Sequence, residues 1–214
     1  MSTPASGSTG WTGADAETLV AFEEAAHSFV QLVGRVEGGW DRPGLGRWDL
    51  RALVGHTARA LVTVTTYLDR PATTEVLASA AAYLGGAAKS DGDAVFARGV
   101  AAGQDLGDDP YGWVVPAADR ALERLRAADP RTLVETIGGG MQLRHYLPTR
   151  TFELVVHGAD VAAALGLEPD VGPTALREAA VLATQVVLDQ GRGTDLLLTL
   201  TGRADWPADL VVVR

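Results

Sequence analysis

Apolar side chains recur three and four positions apart along most of this 214-residue chain, and this spacing limits its possible folds more than any other feature. The first such stretch, residues 15–36, also has acidic residues in its first turn, where the helix dipole favours them. Its apolar positions are Leu19, Phe22, Ala26, Phe29, Val30 and Val33. Glycine or proline lies near the end of most periodic stretches. The chain is therefore predicted to be mainly α-helical, with helices that pack through their apolar faces.

The same spacing predicts five longer helices and two shorter ones. The longer helices are expected over residues 15–36, 50–68, 116–128, 148–166 and 174–190, and the shorter ones between residues 74 and 104. Asp49 is the expected N-cap of the second helix, because its side chain can accept a hydrogen bond from a free backbone N–H of the first turn.

The end of the chain has a different pattern. Residues 196–200 and 210–213 are two strand-like runs, and the turn between them contains Gly202 and Pro207, so a C-terminal β-hairpin is expected. The predicted organisation has three parts. They are a flexible leader over residues 1–13, a helical bundle over 14–170, and a short helix with the β-hairpin over 171–214.

Composition excludes several classes of function. The net charge of −9 and the single lysine, Lys89, argue against binding to nucleic acid or to an acidic membrane surface. The chain has no apolar run of membrane-spanning length, and its N-terminus has neither the cationic start nor the apolar segment of a secretion signal, so a cytoplasmic globular protein is expected. There is no cysteine. Any sulfur chemistry would therefore need a cosubstrate that supplies the sulfur.

Three polar side chains fall on one face of the predicted helix over residues 148–166. Glu153, His157 and Asp160 are spaced i, i+4 and i+7, which places them in one narrow stripe. A glutamate and a histidine one turn apart can chelate a borderline cation such as zinc, nickel or iron. Apolar neighbours, including Phe152 and Val155, indicate that the stripe faces the protein interior.

A third ligand should come from another helix, and His56 is the best candidate among four histidines. It lies on the face of the second helix that carries Ala52, Ala60 and Thr63, where small side chains leave room for the ring. His27 is surrounded by polar residues, and His145 is expected in a loop. The pattern leaves alternatives open, because Glu153 and His157 could form a surface pair, His56 a core histidine and Asp160 a buried acceptor.

Two segments resemble the mycothiol-dependent maleylpyruvate isomerase family, part of the DinB-like superfamily of four-helix bundles. Residues 48–56 read W-D-L-R-A-L-V-G-H, and residues 150–160 read R-T-F-E-L-V-V-H-G-A-D. The resemblance covers about residues 14–170, and residues 196–203 are similar to a short β-tail found in many members. It implies a DinB-like four-helix bundle in which His56, Glu153 and His157 bind a divalent metal, usually zinc.

The resemblance also implies a function. The fourth coordination position would be open to water or to mycothiol as thiol cosubstrate, and Asp160, the candidate catalytic residue, would orient a ligand. The thiolate would attack an electrophilic small molecule in an S-transfer or isomerase reaction. S-transfer is preferred, because the larger second domain of the isomerase corresponds to only about forty residues here. A metal-activated hydrolase and a non-catalytic ligand-binding bundle are the alternatives.

Overall fold

The fold is mainly α-helical, as predicted. A computed structural model describes residues 10–87 and 91–212, and this part of the chain forms eight helices and one two-stranded antiparallel sheet. The elements are α1 (Ala14–Val33), α2 (Leu50–Leu68), α3 (Ala80–Ala87), α4 (Gly92–Asp105), α5 (Pro110–Ala127), β1 (Leu133–Thr136), β2 (Gly139–Gln142), α6 (Leu143–Leu165), α7 (Pro173–Asp189) and α8 (Gly193–Leu200). None of the described helices is long and apolar enough to cross a membrane.

Four helices form the bundle that holds the candidate site. Helices α1 and α2 each pack against both α5 and α6. The interior is filled by fully buried side chains from all four helices, among them Phe22, Phe29, Leu53, Leu61, Leu125 and Leu147. Each such side chain contributes about 1.5–3 kcal/mol through the removal of its apolar surface from water. The two helices that carry the candidate ligands, α2 and α6, are therefore held side by side by a large core.

Helix α2 starts where the sequence predicts. The Asp49 side chain accepts a hydrogen bond from the backbone N–H of Ala52 at 2.7 Å, which confirms it as the N-cap. Helix α4 packs closely against the backbone of α2, because each of the two helices has a glycine where they cross. A Cβ atom added at Gly103 would lie only 2.9 Å from the Cα of Ala52.

Helix α6 begins five residues earlier than predicted, and His145 therefore lies in its first turn and not in a loop. Strand β2 leads directly into the helix, and Tyr146 and Leu147 are fully buried in the core. Pro148 thus lies inside the helix, where it removes a backbone donor at a cost of about 3 kcal/mol. Burial of this first turn outweighs that cost, so the proline does not mark the helix start.

Helix α5 is also longer than predicted, for a related reason. Pro110 occupies its first turn, and the Asp109 side chain accepts a hydrogen bond from Gly112 N at 2.9 Å. These are typical start signals, since proline in the first turn lacks only an N–H that would be unpaired anyway. Pro116, where the sequence predicted the start, lies within the helix.

The prediction of a β-hairpin at the C-terminus is wrong in its position. The predicted class, mainly α with a small β-hairpin, is confirmed. Residues 196–200 form the end of α8, residues 210–212 form no strand, and Val213 lies outside the described residues. The hairpin in the described part of the chain is β1–β2, in which Leu133 pairs with Gln142 and Thr136 with Gly139. A short leucine-rich run does not distinguish strand from helix by periodicity.

Both ends of the described chain pack against the bundle. Residues 1–9 of the predicted leader lie outside the described residues, whereas Trp11 is buried and its indole N–H donates to the Leu125 carbonyl at 2.8 Å. Helix α7 contributes Ala175, Ala179, Leu182 and Val186 to the same core as the bundle. The domain boundary near residue 170 stays a prediction.

Glu24 of α1 holds the start of α7 and gives a stability prediction. Its carboxylate accepts hydrogen bonds from Thr174 N at 2.8 Å, Ala175 N at 3.0 Å and Thr174 Oγ1 at 2.9 Å. Burial acts to raise the pKa of Glu24, but these hydrogen bonds outweigh it and lower the pKa. We expect Glu24→Ala to destabilise the protein by about 1–2 kcal/mol at neutral pH, because two N–H groups of the helix start lose their acceptor.

The effect should depend on pH in a defined direction. A carboxyl group with a lowered pKa in the folded protein contributes its full stability above its unfolded pKa, about 4.3, and loses it as the pH falls through the folded pKa. Urea unfolding measured at about pH 7 and about pH 4 checks this. The control is Glu23→Ala, which removes only a partly exposed ion pair with Arg126. Equal destabilisation by both variants at neutral pH contradicts the prediction.

Candidate metal centre

The structure brings His56, Glu153 and His157 together at the contact between α2 and α6. His56 lies two turns after the start of α2, and Glu153 and His157 lie one turn apart on α6. Glu153 Oε2 is 3.6 Å from His56 Nε2 and 3.4 Å from His157 Nε2. One donor atom from each residue lies within 4.8 Å of the other two.

This spacing fits a shared cation. Ligands bound tetrahedrally to zinc at 2.0–2.2 Å lie about 3.3–3.6 Å from one another, which matches both measured separations. Two imidazole nitrogens and one carboxylate oxygen are the donors that borderline divalent metals such as zinc prefer. The side chains are 17%, 20% and 14% exposed for His56, Glu153 and His157, so solvent competes little with a bound ion.

Two of the three candidate ligands, Glu153 and His56, are already in the protonation state that a metal needs. Burial acts to raise the pKa of Glu153, but hydrogen bonds from His157 and His56, with the charge of Arg150, hold it well below its ordinary value. Burial lowers the pKa of His56 and keeps its imidazole neutral. Burial also disfavours charge on His157, yet hydrogen bonds to Asp160 and Glu153 raise its pKa to about 9. Without a metal the site thus has an ionised carboxylate, one neutral imidazole and one charged imidazole, and His157 would have to release its Nε2 proton to bind a metal.

Asp160 lies behind His157, on the far side of its ring from Glu153. His157 Nδ1–H donates to Asp160 Oδ2 at 3.0 Å. A carboxylate can only accept, so the proton lies on Nδ1 and Nε2 is the nitrogen left for a metal. The role of Asp160 in orienting a ligand stays a prediction, and this hydrogen bond is the contact that such a role requires.

The ring of Trp48 packs against the ring of His56. The sequence motif contains this tryptophan, but the contact was not predicted from the sequence. The indole and imidazole rings are 4.4 Å apart between centroids, with 32° between their planes. The indole N–H donates to the Phe96 carbonyl at 3.0 Å, and Gly99 leaves room for the ring, since a Cβ there would lie 2.5 Å from Trp48 Nε1. Helix α4 thereby fixes the tryptophan against the candidate ligand.

The three candidate ligands line one large cavity. Its volume is about 820 Å³, within the range of sites that bind drug-sized molecules. Arginines and tyrosines from α2, α3, α4 and α6 also line it, and no sequence pattern linked these residues. The other two histidines lie elsewhere, as His27 is exposed and His145 is 3.8 Å from Glu75.

Comparison with known proteins gives one match. A family model described as the mycothiol maleylpyruvate isomerase N-terminal domain matches residues 22–162. The matched stretch contains α2 and α5, most of α1 and α6, and every candidate ligand. No curated protein and no solved structure matches the chain. Because the match covers more than half of its length, the chain belongs to the mycothiol maleylpyruvate isomerase N-terminal domain family.

Proposed function

We propose that this protein is a metal-dependent enzyme that uses mycothiol to attack an electrophilic carbon of a small molecule. The observation that carries the proposal is the convergence of His56 Nε2, Glu153 Oε2 and His157 Nε2 on the wall of a large cavity. The family's name supports a thiol cosubstrate. The absence of cysteine from the chain means that the reacting sulfur has to be supplied by that cosubstrate.

The chain's own residues hold and orient the reacting groups. His56, Glu153 and His157 would hold a divalent cation, most simply zinc, from two rigid helices. A cation at this position favours the deprotonated form of a neighbouring thiol, and thiolate is the nucleophilic form. Asp160 fixes the ring of His157, and Trp48 fixes the ring of His56. The surrounding bundle limits the access of water to this side of the cavity.

S-transfer is the first candidate reaction. The thiolate forms a carbon–sulfur bond, and the leaving group departs with the electron pair of the bond that breaks. Isomerisation is the second candidate, favoured by the family's name. In that reaction the thiolate adds reversibly to a double bond, the single bond so formed rotates, and expulsion of the thiolate restores the double bond in the other geometry.

Turnover of a chromogenic electrophile, with and without mycothiol and with and without a chelator, tests the proposal. We expect turnover that requires both the thiol and the metal. Metal-dependent turnover without thiol would indicate a hydrolase, and a metal-loaded protein without any turnover would indicate a binding protein. His27→Ala is a suitable control, since it removes an exposed histidine outside the site.

Asp160→Asn gives a more specific prediction about the site. Asparagine is similar in size but lacks the charge that orients His157, so we expect metal affinity or activity to fall about 10- to 100-fold. Competition with a chromogenic chelator measures the affinity. Asp119→Asn, at an exposed position on α5, is the control. Unchanged affinity and activity in Asp160→Asn would show that Asp160 does not support the centre.

A further inference from the structure

Three arginines line the cavity beside the candidate metal centre. Arg59 projects from α2, Arg98 from α4 and Arg150 from α6. Among the described residues, none of the three forms an ion pair, whereas five other arginines pair with carboxylates: Arg47, Arg124, Arg126, Arg144 and Arg192. In a chain with a net charge of −9, three unpaired cations at one cavity are an unexpected concentration of positive charge.

Arg150 is the most informative of the three, because it is only 8% exposed. In the described part of the protein its guanidinium makes one hydrogen bond, from Nε to Thr149 Oγ1 at 3.0 Å. It also lies 5.5 Å from the ring centroid of Tyr83 and 5.0 Å from that of Tyr146. The charge of Glu153 also favours the charged guanidinium of Arg150, but among the described residues no carboxylate lies within ion-pair distance of it, and its remaining N–H groups have no hydrogen-bond acceptor. Arg150 is therefore held in place to meet an anion.

The two carboxylates of the cavity are already engaged. Glu153 faces His56 and His157, and Asp160 accepts a hydrogen bond from His157. A divalent cation between the three candidate ligands would add further positive charge on the same side. The arginines that line the cavity therefore outnumber its carboxylates, and an anionic ligand would balance the difference.

The rest of the cavity wall includes apolar side chains. They are Leu45, Leu77, Val95, Ile137 and Val156. Ile137, between β1 and β2, is 75% exposed in the structure, so it is free to contact a ligand in the cavity. A small dicarboxylate would leave these residues without a partner and would fill little of the cavity volume. The hydroxyl-rich body of mycothiol is also a poor match for them.

We propose that the electrophilic substrate is an amphipathic carboxylate. Arg59, Arg98 and Arg150 bind its anionic group, and its apolar body packs against Leu45, Leu77 and Ile137. This inference rests on the proposed function, since it assigns the substrate class of the same site. It predicts a ligand that has both features, one carboxylate and one apolar group, and not either feature alone.

Binding of three unreactive probes to the metal-loaded protein tests the inference by titration calorimetry. The probes are 4-phenylbutyrate, its neutral amide 4-phenylbutyramide, and succinate, which has carboxylates but no apolar body. We expect the phenylbutyrate to bind at least about tenfold more tightly than either of the other two, because each of them loses one class of contact. If the amide binds as tightly as 4-phenylbutyrate, the proposed anion site is wrong. If succinate binds as tightly as 4-phenylbutyrate, the proposed contact with an apolar body is wrong.

Arginine variants show whether the carboxylate meets the arginines or the metal. In the double variant Arg59→Gln/Arg98→Gln, and in Arg150→Gln, the preference for phenylbutyrate over its amide should fall by about tenfold or more. The double variant changes only partly exposed side chains that make no hydrogen bond to any residue described by the structure, so it keeps the test valid if Arg150→Gln does not fold. Arg120→Gln, on the exposed face of α5, is the matched control.

A preference that is unchanged in both arginine variants overturns the inference, because it would place the carboxylate on the metal. The proposed function fails by a different result, namely turnover that needs no thiol or no metal. Measurements on the wild-type protein and its arginine variants therefore distinguish failure of the substrate inference from failure of the proposed function.

Discussion

Replacement of either His56 or His157 by alanine is expected to reduce the bound metal from close to one equivalent per chain to a small fraction of it. Only three donors converge in the centre, and loss of one leaves two, which do not hold a cation tightly. No other group of three potential ligands exists in residues 10–87 and 91–212 that could take over. The metal affinity should fall by more than about 100-fold, the largest loss typical of mutations in residues that hydrogen-bond to the ligands. Thiol-dependent turnover should fall with it.

Both variants should remain folded, because the core of the bundle is large and does not depend on the centre. Elemental analysis of the purified proteins gives the metal content, and circular dichroism gives the helical content. His27→Ala is the control and should keep its metal. Full metal content in both ligand variants would show that His56 and His157 do not bind the metal. Aggregation of both would show instead that the metal stabilises the fold.

The helical fold could be predicted because the apolar residues of α1 and α2 repeat along whole helices. The pair Glu153 and His157 was equally visible, since both residues lie on one helix. The proximity of His56 to this pair depends on how α2 packs against α6. Comparison of the four histidines made His56 the best candidate but left other interpretations open, and the family resemblance then implied the same residue. A spacing rule within one helix carries no information about a second helix.

Other features were beyond sequence reasoning because tertiary contacts decide them. Pro148 looks like a helix start, but burial of Tyr146 and Leu147 extends α6 over the preceding turn. The run of leucines in residues 196–200 fits a strand as well as a helix. In the structure it continues α8, where Leu196 packs with Val187 and Leu210. The arginines of the cavity lie up to ninety residues apart, and no pattern links them.

Addition of mycothiol to the cobalt-substituted protein is expected to produce a new absorption band in the near ultraviolet. Three protein donors leave a tetrahedral ion with one free position, and sulfur is a strong ligand for zinc and cobalt. Direct contact between sulfur and cobalt gives charge-transfer absorption that nitrogen and oxygen ligands do not give. The change should be large, because the band is absent before the thiol is added and the chain contains no cysteine.

A matched alcohol, with a hydroxyl in place of the thiol, is the control and should give no such band. His157→Ala should give none either, since it should hold little cobalt. Proton release should accompany the titration, because the thiol has to lose its proton to bind. The most direct test of thiol activation at this centre is this titration, performed on protein shown to contain one equivalent of cobalt. We expect a saturable sulfur-to-cobalt band with one thiol per chain, and an unchanged spectrum at saturating mycothiol would show that the thiol does not bind the metal.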